Sequence, residues 1–408
     1  MNFRIFPLIL LFVAALMAGP ARAQHLSPLS PRPDWTQLNP YQQTITRAEF
    51  TRLLDQVYAP DGAWHDSIRI TNDTAFIKTG GLLSYKLHFA DSEDSARPVP
   101  RYWHEATSLA GLKIALDPGH LGGHWAKMEE RWFQIDGSAP IMEGDLVLKV
   151  AKLIAVRLTA MGATVSFVRD SDEPVTSQRP VDLRKAAVAE LAREGVKNPA
   201  DTYQGYADPQ KGASIQWNSE LLFYRISEIH ARAAKVNEKL KPDLVLCLHL
   251  DAAPWGDPAH PQLVTDSHIH LLVNGCYSAG ELGFDDVRFE MLRKLLNRTT
   301  GEEIRLSQSV AQSLAQATAL PPFIYHSTNA RPVDAANYVW FRNLLASRVY
   351  ECPVLYIEPY VMNSRVDFDR LQLGDYDGTR PVDGRLVPSI FREYADAVVA
   401  GLQAAFVK

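Results

Sequence analysis

The chain has 408 residues, 22% charged and 46% hydrophobic, with a formal net charge of -5. That apolar content suffices for a large core, and the mild acidity excludes the basic footprint that nucleic-acid binding requires. Three cysteines, Cys247, Cys276 and Cys352, are too few for a disulfide framework. Cys247 and Cys352 lie in apolar strand-like runs and read as buried thiols, though one disulfide among the three is allowed.

Residues 1 to 23 carry Arg4, an apolar run from Ile5 to Met17, and Ala21-Arg22-Ala23 before Gln24. This is the pattern of a secretory signal with a small-x-small cleavage site. The apolar run is too short to span a bilayer, and no later segment reaches that length, so no transmembrane anchor is expected after signal removal. Losing Arg4 and Arg22 without an acid moves the formal charge from -5 to -7. The expected product is an exported protein, periplasmic or extracellular in a bacterium.

Residues 24 to 40 are rich in Pro, Ser and polar side chains and read as a linker. Thr46-Arg47-Ala48-Glu49 has capping-box form and predicts a helix through Tyr58, with strands near 67–77 and 83–89. Residues 41–105 are thus expected to form a small α+β domain, and a proline-punctuated linker at 91–108 separates it from a larger domain at 110–408.

The larger domain opens on Lys113-Ile114-Ala115-Leu116-Asp117-Pro118-Gly119-His120, a short apolar strand ending in a tight turn that carries a histidine. Val147, Val150, Ile154, Leu158 and Met161 recur at steps of three and four, one face of an amphipathic helix over 145–161. Gly162 ends it, and 164–168 is the next strand. Strand, helix and strand within about 55 residues mark a parallel βαβ unit. Further helices are predicted at 181–192 and 218–240, the second feeding the apolar strand 244–249, which also ends in a histidine. A strand at 268–273, a helix at 302–318, a strand at 353–357 ending in Glu358 and a helix at 389–406 complete the pattern. The expected fold is α/β, a twisted and mostly parallel sheet with helices on both faces.

Three predicted strands therefore end in His120, His249 and Glu358, while Glu143 starts the helix after the first strand. Two imidazoles and a carboxylate with one position open form the ligand set of a catalytic zinc rather than a closed structural one. A helix N-terminus favours Glu143 as carboxylate, the form a ligand needs. Spacing alone leaves the zinc reading open, since there is no His-Glu-x-x-His pair and the chain has 12 histidines.

Five blocks resemble, in order, those of the zinc-dependent N-acetylmuramoyl-L-alanine amidases of the type-3 family. They are Leu116-Asp117-Pro118-Gly119-His120, Glu143-Gly144-Asp145-Leu146-Val147-Leu148, Val168-Arg169-Asp170, Leu248-His249-Leu250-Asp251-Ala252 and Tyr356-Ile357-Glu358-Pro359. The resemblance covers residue 110 to the C-terminus and implies a zinc amidase/exopeptidase-like fold. It implies zinc held by His120, Glu143 and His249, and Glu358 as the catalytic glutamate. It also implies peptidoglycan as substrate, cut at the amide between N-acetylmuramic acid and L-alanine.

Arg232 matches an arginine usual before the third strand, with a solvated helix position left open, and Asn363 reads better as a turn residue. Neither is given a catalytic role. The chain departs from the family in Leu121-Gly122-Gly123-His124, in a longer interval to Glu143, and in an insertion-like tract at 197–216. His124 is not expected to be a ligand. That tract and the roughly 100 residues between His249 and Glu358 predict a lid over the site, opened by trimming or by an activator protein. Two rival readings are a zinc peptidase or carboxypeptidase acting on another amide and a catalytically inactive wall-binding protein.

Overall fold

The computed structural model describes residues 25–80, 83–258 and 260–406, so the signal expected at 1–23 lies outside the described residues. Residues 25–34 lead into a short 3-10 helix, Trp35–Tyr41, and the backbone amide of Leu26 donates to the carboxylate of Asp286 at 3.1 Å. Helix α1 (Arg47–Leu53) is capped by Thr46, whose hydroxyl accepts from the amide of Glu49 at 3.2 Å, and a π turn continues it to Tyr58. Strands β1 (Ile68–Ile70), β2 (Thr74–Lys78) and β3 (Ser84–His88) make an antiparallel sheet in that order.

This N-terminal unit shares one apolar core with the rest of the chain. Its backbone is stitched there as well. Cys276 N donates to Val57 O at 2.8 Å, Tyr277 N to Tyr58 O at 2.6 Å, and the Tyr58 hydroxyl meets that of Thr300 at 2.7 Å.

The main sheet is built from β4 (Lys113–Pro118), then, beyond a small hairpin of β5 (Trp132–Phe133) and β6 (Ile141–Met142), from strands separated by helices. Helix α2 (Glu143–Ala160) leads to β7 (Thr164–Phe167), and Gly162 between them takes φ +86° to turn the chain. Helix α3 (Pro180–Arg193) follows. A helical rod then runs unbroken through α4 (Ile215–Leu221), a π turn (Leu222–Ser227), α5 (Glu228–Ala234) and a second π turn (Lys235–Leu240). It delivers β8 (Leu244–Leu248), and β9 (Ile269–Val273) comes next.

Helices α6 (Ala279–Leu282), α7 (Asp285–Asn297) and α8 (Thr300–Thr318) precede β10 (Ala330–Pro332) and β11 (Val339–Arg342). The chain closes with α9 (Leu345–Val349), β12 (Val354–Pro359), α10 (Arg365–Gln372), the hairpin β13 (Thr379–Val382) and β14 (Arg385–Pro388), and α11 (Ile390–Ala404).

The seven strands lie in the order β10-β11-β9-β12-β8-β4-β7. Four pairings are parallel, and β9 with β12 and β10 with β11 are antiparallel, so the sheet is mixed. Side chains alternate across it, as the strand period of two dictates. Ile114, Leu116, Leu246 and Ile357 pack with α2, α8 and α11 on one face, whereas Ala115, Val245, Cys247 and Val354 meet Ala233, Val236 and Val349 on the other. The α/β expectation therefore holds, with helices on both faces.

Helix α7 has no counterpart in the predicted pattern because its charges are buried rather than arrayed on a wet face. Lys294 pairs with Glu303 at 2.7 Å, Glu290 with Arg348 at 2.5 Å, and Arg288 with Asp285. All three cysteines are buried thiols. Among the described residues no helix is long and apolar enough to cross a membrane.

Candidate metal centre

Strands β4, β8 and β12 are neighbours in the sheet, and their carboxyl ends open on one cavity of about 530 Å³. That edge is where an α/β sheet releases side chains from its core. His120, His249 and Glu358 all line the cavity.

The turn after β4 places the first of them. His120 adopts φ +52°, in the left-handed region that short polar side chains and histidine tolerate better than most residues. Its Nδ1 faces the carboxylate of Glu129 at 3.0 Å, and that carboxylate also accepts the amide of Leu121 at 3.0 Å. Nε2 is left for the cavity, 3.5 Å from Glu143 Oε2.

Glu143 is the first residue of α2, and Gly144 is what lets the helix come so near. A Cβ on Gly144 would overlap the backbone of Leu121, the residue after His120. His249 directs Nδ1 at Glu143 Oε1, 3.2 Å away, and its ring lies stacked on Tyr356 at 4.4 Å and 14°. One donor atom from each of His120, Glu143 and His249 lies within 4.8 Å of the others. The structure thus brings together the three residues that the sequence nominated as ligands.

The donor set fits a zinc-like ion. Bonds of about 2.0–2.1 Å in a tetrahedron separate neighbouring donors by about 3.3 Å, and the two imidazoles stand 3.2 and 3.5 Å from the Glu143 carboxylate, each facing a different one of its oxygens. Burial pushes the His120 imidazole well down, so its ring is neutral with a lone pair to give. Burial pushes Glu143 up, but the imidazoles of His120 and His249 and the Arg131 guanidinium outweigh it and hold the carboxyl below its usual range. The Glu129 behind His120 is raised by burial to about 7. A carboxylate on the far nitrogen of a ligating histidine fixes its tautomer and orientation.

Arg131 was not foreseen. Its Nε lies 3.2 Å from both His120 Nε2 and Glu143 Oε2, so a cationic group already reads the donors that a metal would use. It belongs to the longer interval between His120 and Glu143, the same departure that supplies Glu129. His124, in that interval, is not among the clustered donors.

Glu358 sits on β12 directly across from His270 of β9, and the two side chains are hydrogen-bonded. Burial raises the Glu358 carboxyl, yet the charge of His270 and its hydrogen bond outweigh that, leaving Glu358 below the usual range and therefore ionised at neutral pH. His268 Nε2 meets Asp251 Oδ2 at 2.7 Å beside this pair. The sequence pattern marks His268 and His270 as strand residues and nothing more. Their i, i+2 spacing, which puts both on one side of a strand, was the available signal.

Arg232 corrects the solvated alternative. It is 2% exposed and bridges Asp117 at 2.9 Å and Glu228 at 2.7 Å while donating to Pro118 O at 2.9 Å. It is a buried brace under the turn that carries His120. Arg169 does similar work, donating to the carbonyls of Pro118, Gly119 and Gly144 at 3.2 to 3.4 Å. Asn363 is buried and ties two loops, accepting from Ala253 N at 2.9 Å and donating to Gln262 O at 3.1 Å.

The 197–216 tract meets the loop behind His120 through Lys211. Its ammonium pairs with Glu130, lies 3.9 Å from the Trp217 ring, and is flanked by Tyr203 and Tyr206. Glu130 stands between Glu129 and Arg131, so the tract clamps the segment that orients His120.

The chain matches no family model and no curated protein. Among solved structures, an N-acetylmuramyl-L-alanine amidase from Mycobacterium smegmatis is 17% identical with a TM-score of 0.41, over 73% of this chain and 98% of that one. The apo form of such an amidase from Mycobacterium abscessus is also 17% identical, with a TM-score of 0.39 over 73% and 100%. An N-acetylmuramoyl-L-alanine amidase of Nostoc punctiforme is 14% identical, with a TM-score of 0.35 over 72% and 96%.

Proposed function

We propose that the chain is a zinc-dependent hydrolase that cuts the amide between N-acetylmuramic acid and L-alanine in peptidoglycan. The observation that carries the hydrolase reading is the clustering of His120, Glu143 and His249 at the wall of one cavity, which His120, His249 and an ionised Glu358 line. The choice of bond rests on the five sequence blocks, whose histidines and glutamates are the ones that line this cavity or abut it.

His120, Glu143 and His249 would hold the zinc, with Glu129 steadying His120 from behind. Bound there, zinc supplies Lewis-acid polarisation of a carbonyl and lowers the pKa of water from near 16 towards about 7. Glu358 accepts a proton from the water that adds to the scissile carbonyl carbon. It then gives that proton to the amide nitrogen as the C–N bond breaks, the paired base and acid roles a single carboxylate can fill. The stem peptide leaves with a free L-alanine amine. We further infer export through the 1–23 segment, because this substrate lies outside the cytoplasmic membrane.

Mass analysis of purified peptidoglycan after incubation with the protein, with and without a chelator, tests the reading. Released stem peptides beginning at L-alanine, and none after chelation, are expected. Shortened stems still attached to glycan would instead identify a peptidase, and intact polymer would identify a binding protein.

A further inference from the structure

We propose a second divalent-cation site at the wall of the same cavity, formed by Asp251, His268 and His270 and selective for a zinc-like transition metal. One donor atom from each residue lies within 4.8 Å of the other two. His268 Nε2 is 2.7 Å and His270 Nε2 3.9 Å from Asp251 Oδ2, so both imidazoles face one carboxylate oxygen. Two imidazole nitrogens and a carboxylate suit zinc and its neighbours, whereas magnesium and calcium take oxygen donors almost alone.

The three residues are held together before any cation arrives, through hydrogen bonds between His268 and Asp251 and between His270 and Glu358 that a cation would replace. His268, just before β9, and His270, its second residue, flank Ile269, and their rings lie 5.9 Å apart on one side of the chain. Phe323 packs on both rings, at 4.6 and 5.2 Å, and Tyr325 stacks on His270 at 5.6 Å and 26°. Asp251 is pinned by its backbone, its amide donating to Tyr360 O at 3.2 Å and its carbonyl accepting from Met362 N at 2.8 Å. His270 is 3% exposed and its Nδ1 has no partner among the described residues, so the polar contacts of this buried ring are made through Nε2, which bonds to Glu358 and lies 3.9 Å from Asp251.

Glu358 is hydrogen-bonded to the same Nε2 of His270. A cation in the second site would therefore draw on the carboxylate that the proposed hydrolysis needs for proton transfer. This consequence rests on the role given to Glu358 above, but the site itself does not. Filling it is expected to inhibit, so zinc should activate at one equivalent and inhibit at two.

The test is metal stoichiometry. Metal-free mature protein is titrated with zinc, desalted, and its bound metal counted by atomic emission, with circular dichroism to confirm folding. Two zinc per chain are expected for the wild type, one for His268→Ala and one for His249→Ala. If His268→Ala fails to fold, Asp251→Asn, which keeps the side-chain volume, carries the same comparison. A single zinc in the wild type that survives His268→Ala and is lost in His249→Ala would overturn the second site and leave the first standing. A single zinc lost in His268→Ala but kept in His249→Ala would uphold the second site and overturn the first.

Discussion

Gly119 has no side chain because the imidazole of His249 occupies the space where one would be. A Cβ built on Gly119 overlaps three ring atoms of His249. The strand ends carrying two proposed ligands thus touch through a glycine whose role is room for a neighbour. Gly119→Ala is expected to push His249 out of line and to weaken zinc binding by 10-fold or more, within the range for disturbing a ligand's support. Zinc competition with a chelating dye measures this, and an unchanged affinity would show that the ring accommodates the methyl freely.

Much of this was legible from residue order. Strands β4, β8 and β12 declare themselves as apolar runs, and their terminal His120, His249 and Glu358 followed from where each run stops. Hydrophobic period reports burial, however, and says nothing of which polar groups meet across the fold. Glu129 and Arg131 come from a segment without period, and His270 meets Glu358 only through an antiparallel pairing inside an otherwise parallel neighbourhood. Helix α7 failed for the opposite reason. Its buried ion pairs remove the polar stripe by which a helix is read.

Arg232 is fully enclosed with Asp117 and Glu228, and removing one member of a buried ion cluster leaves uncompensated charge. Arg232→Met is expected to destabilise the fold by about 3–5 kcal/mol, seen as a lower urea midpoint. A loss below about 1 kcal/mol would mean the two acids find other partners or protonate at little cost.

Asp145, two residues into α2 from Glu143, gives a pH signature. Burial and the adjoining Asp172 carboxylate raise it from 3.8 to about 6. The folded state then holds a proton that the unfolded chain releases, so this contribution to stability is full below pH 3.8 and is lost as pH rises through about 6. Asp172→Asn relieves the like-charge contact. Its gain in Tm over the wild type should be larger at pH 8 than at pH 5, and equal gains would remove the coupling.

Lys211 links the inserted tract to the loop behind His120. Cation–π contact and a partly exposed ion pair together contribute about 1–2 kcal/mol. Lys211→Met should make 197–216 a faster site of limited proteolysis and weaken zinc binding a few-fold. Unaltered cleavage and affinity would show that the tract is held by its other contacts.

The two glutamates of the site can be separated by role. Glu358→Gln keeps shape and hydrogen-bonding reach towards His270 but cannot accept the water proton, so turnover should fall by about 100-fold or more while zinc at the first site stays bound. Glu143→Gln removes charge from between His120 and His249, and should lower metal affinity together with rate. Metal content and turnover measured on both proteins decide the matter. Near-normal turnover in Glu358→Gln, or zinc lost as readily as in Glu143→Gln, would take proton transfer away from Glu358 and require another base on the cavity wall.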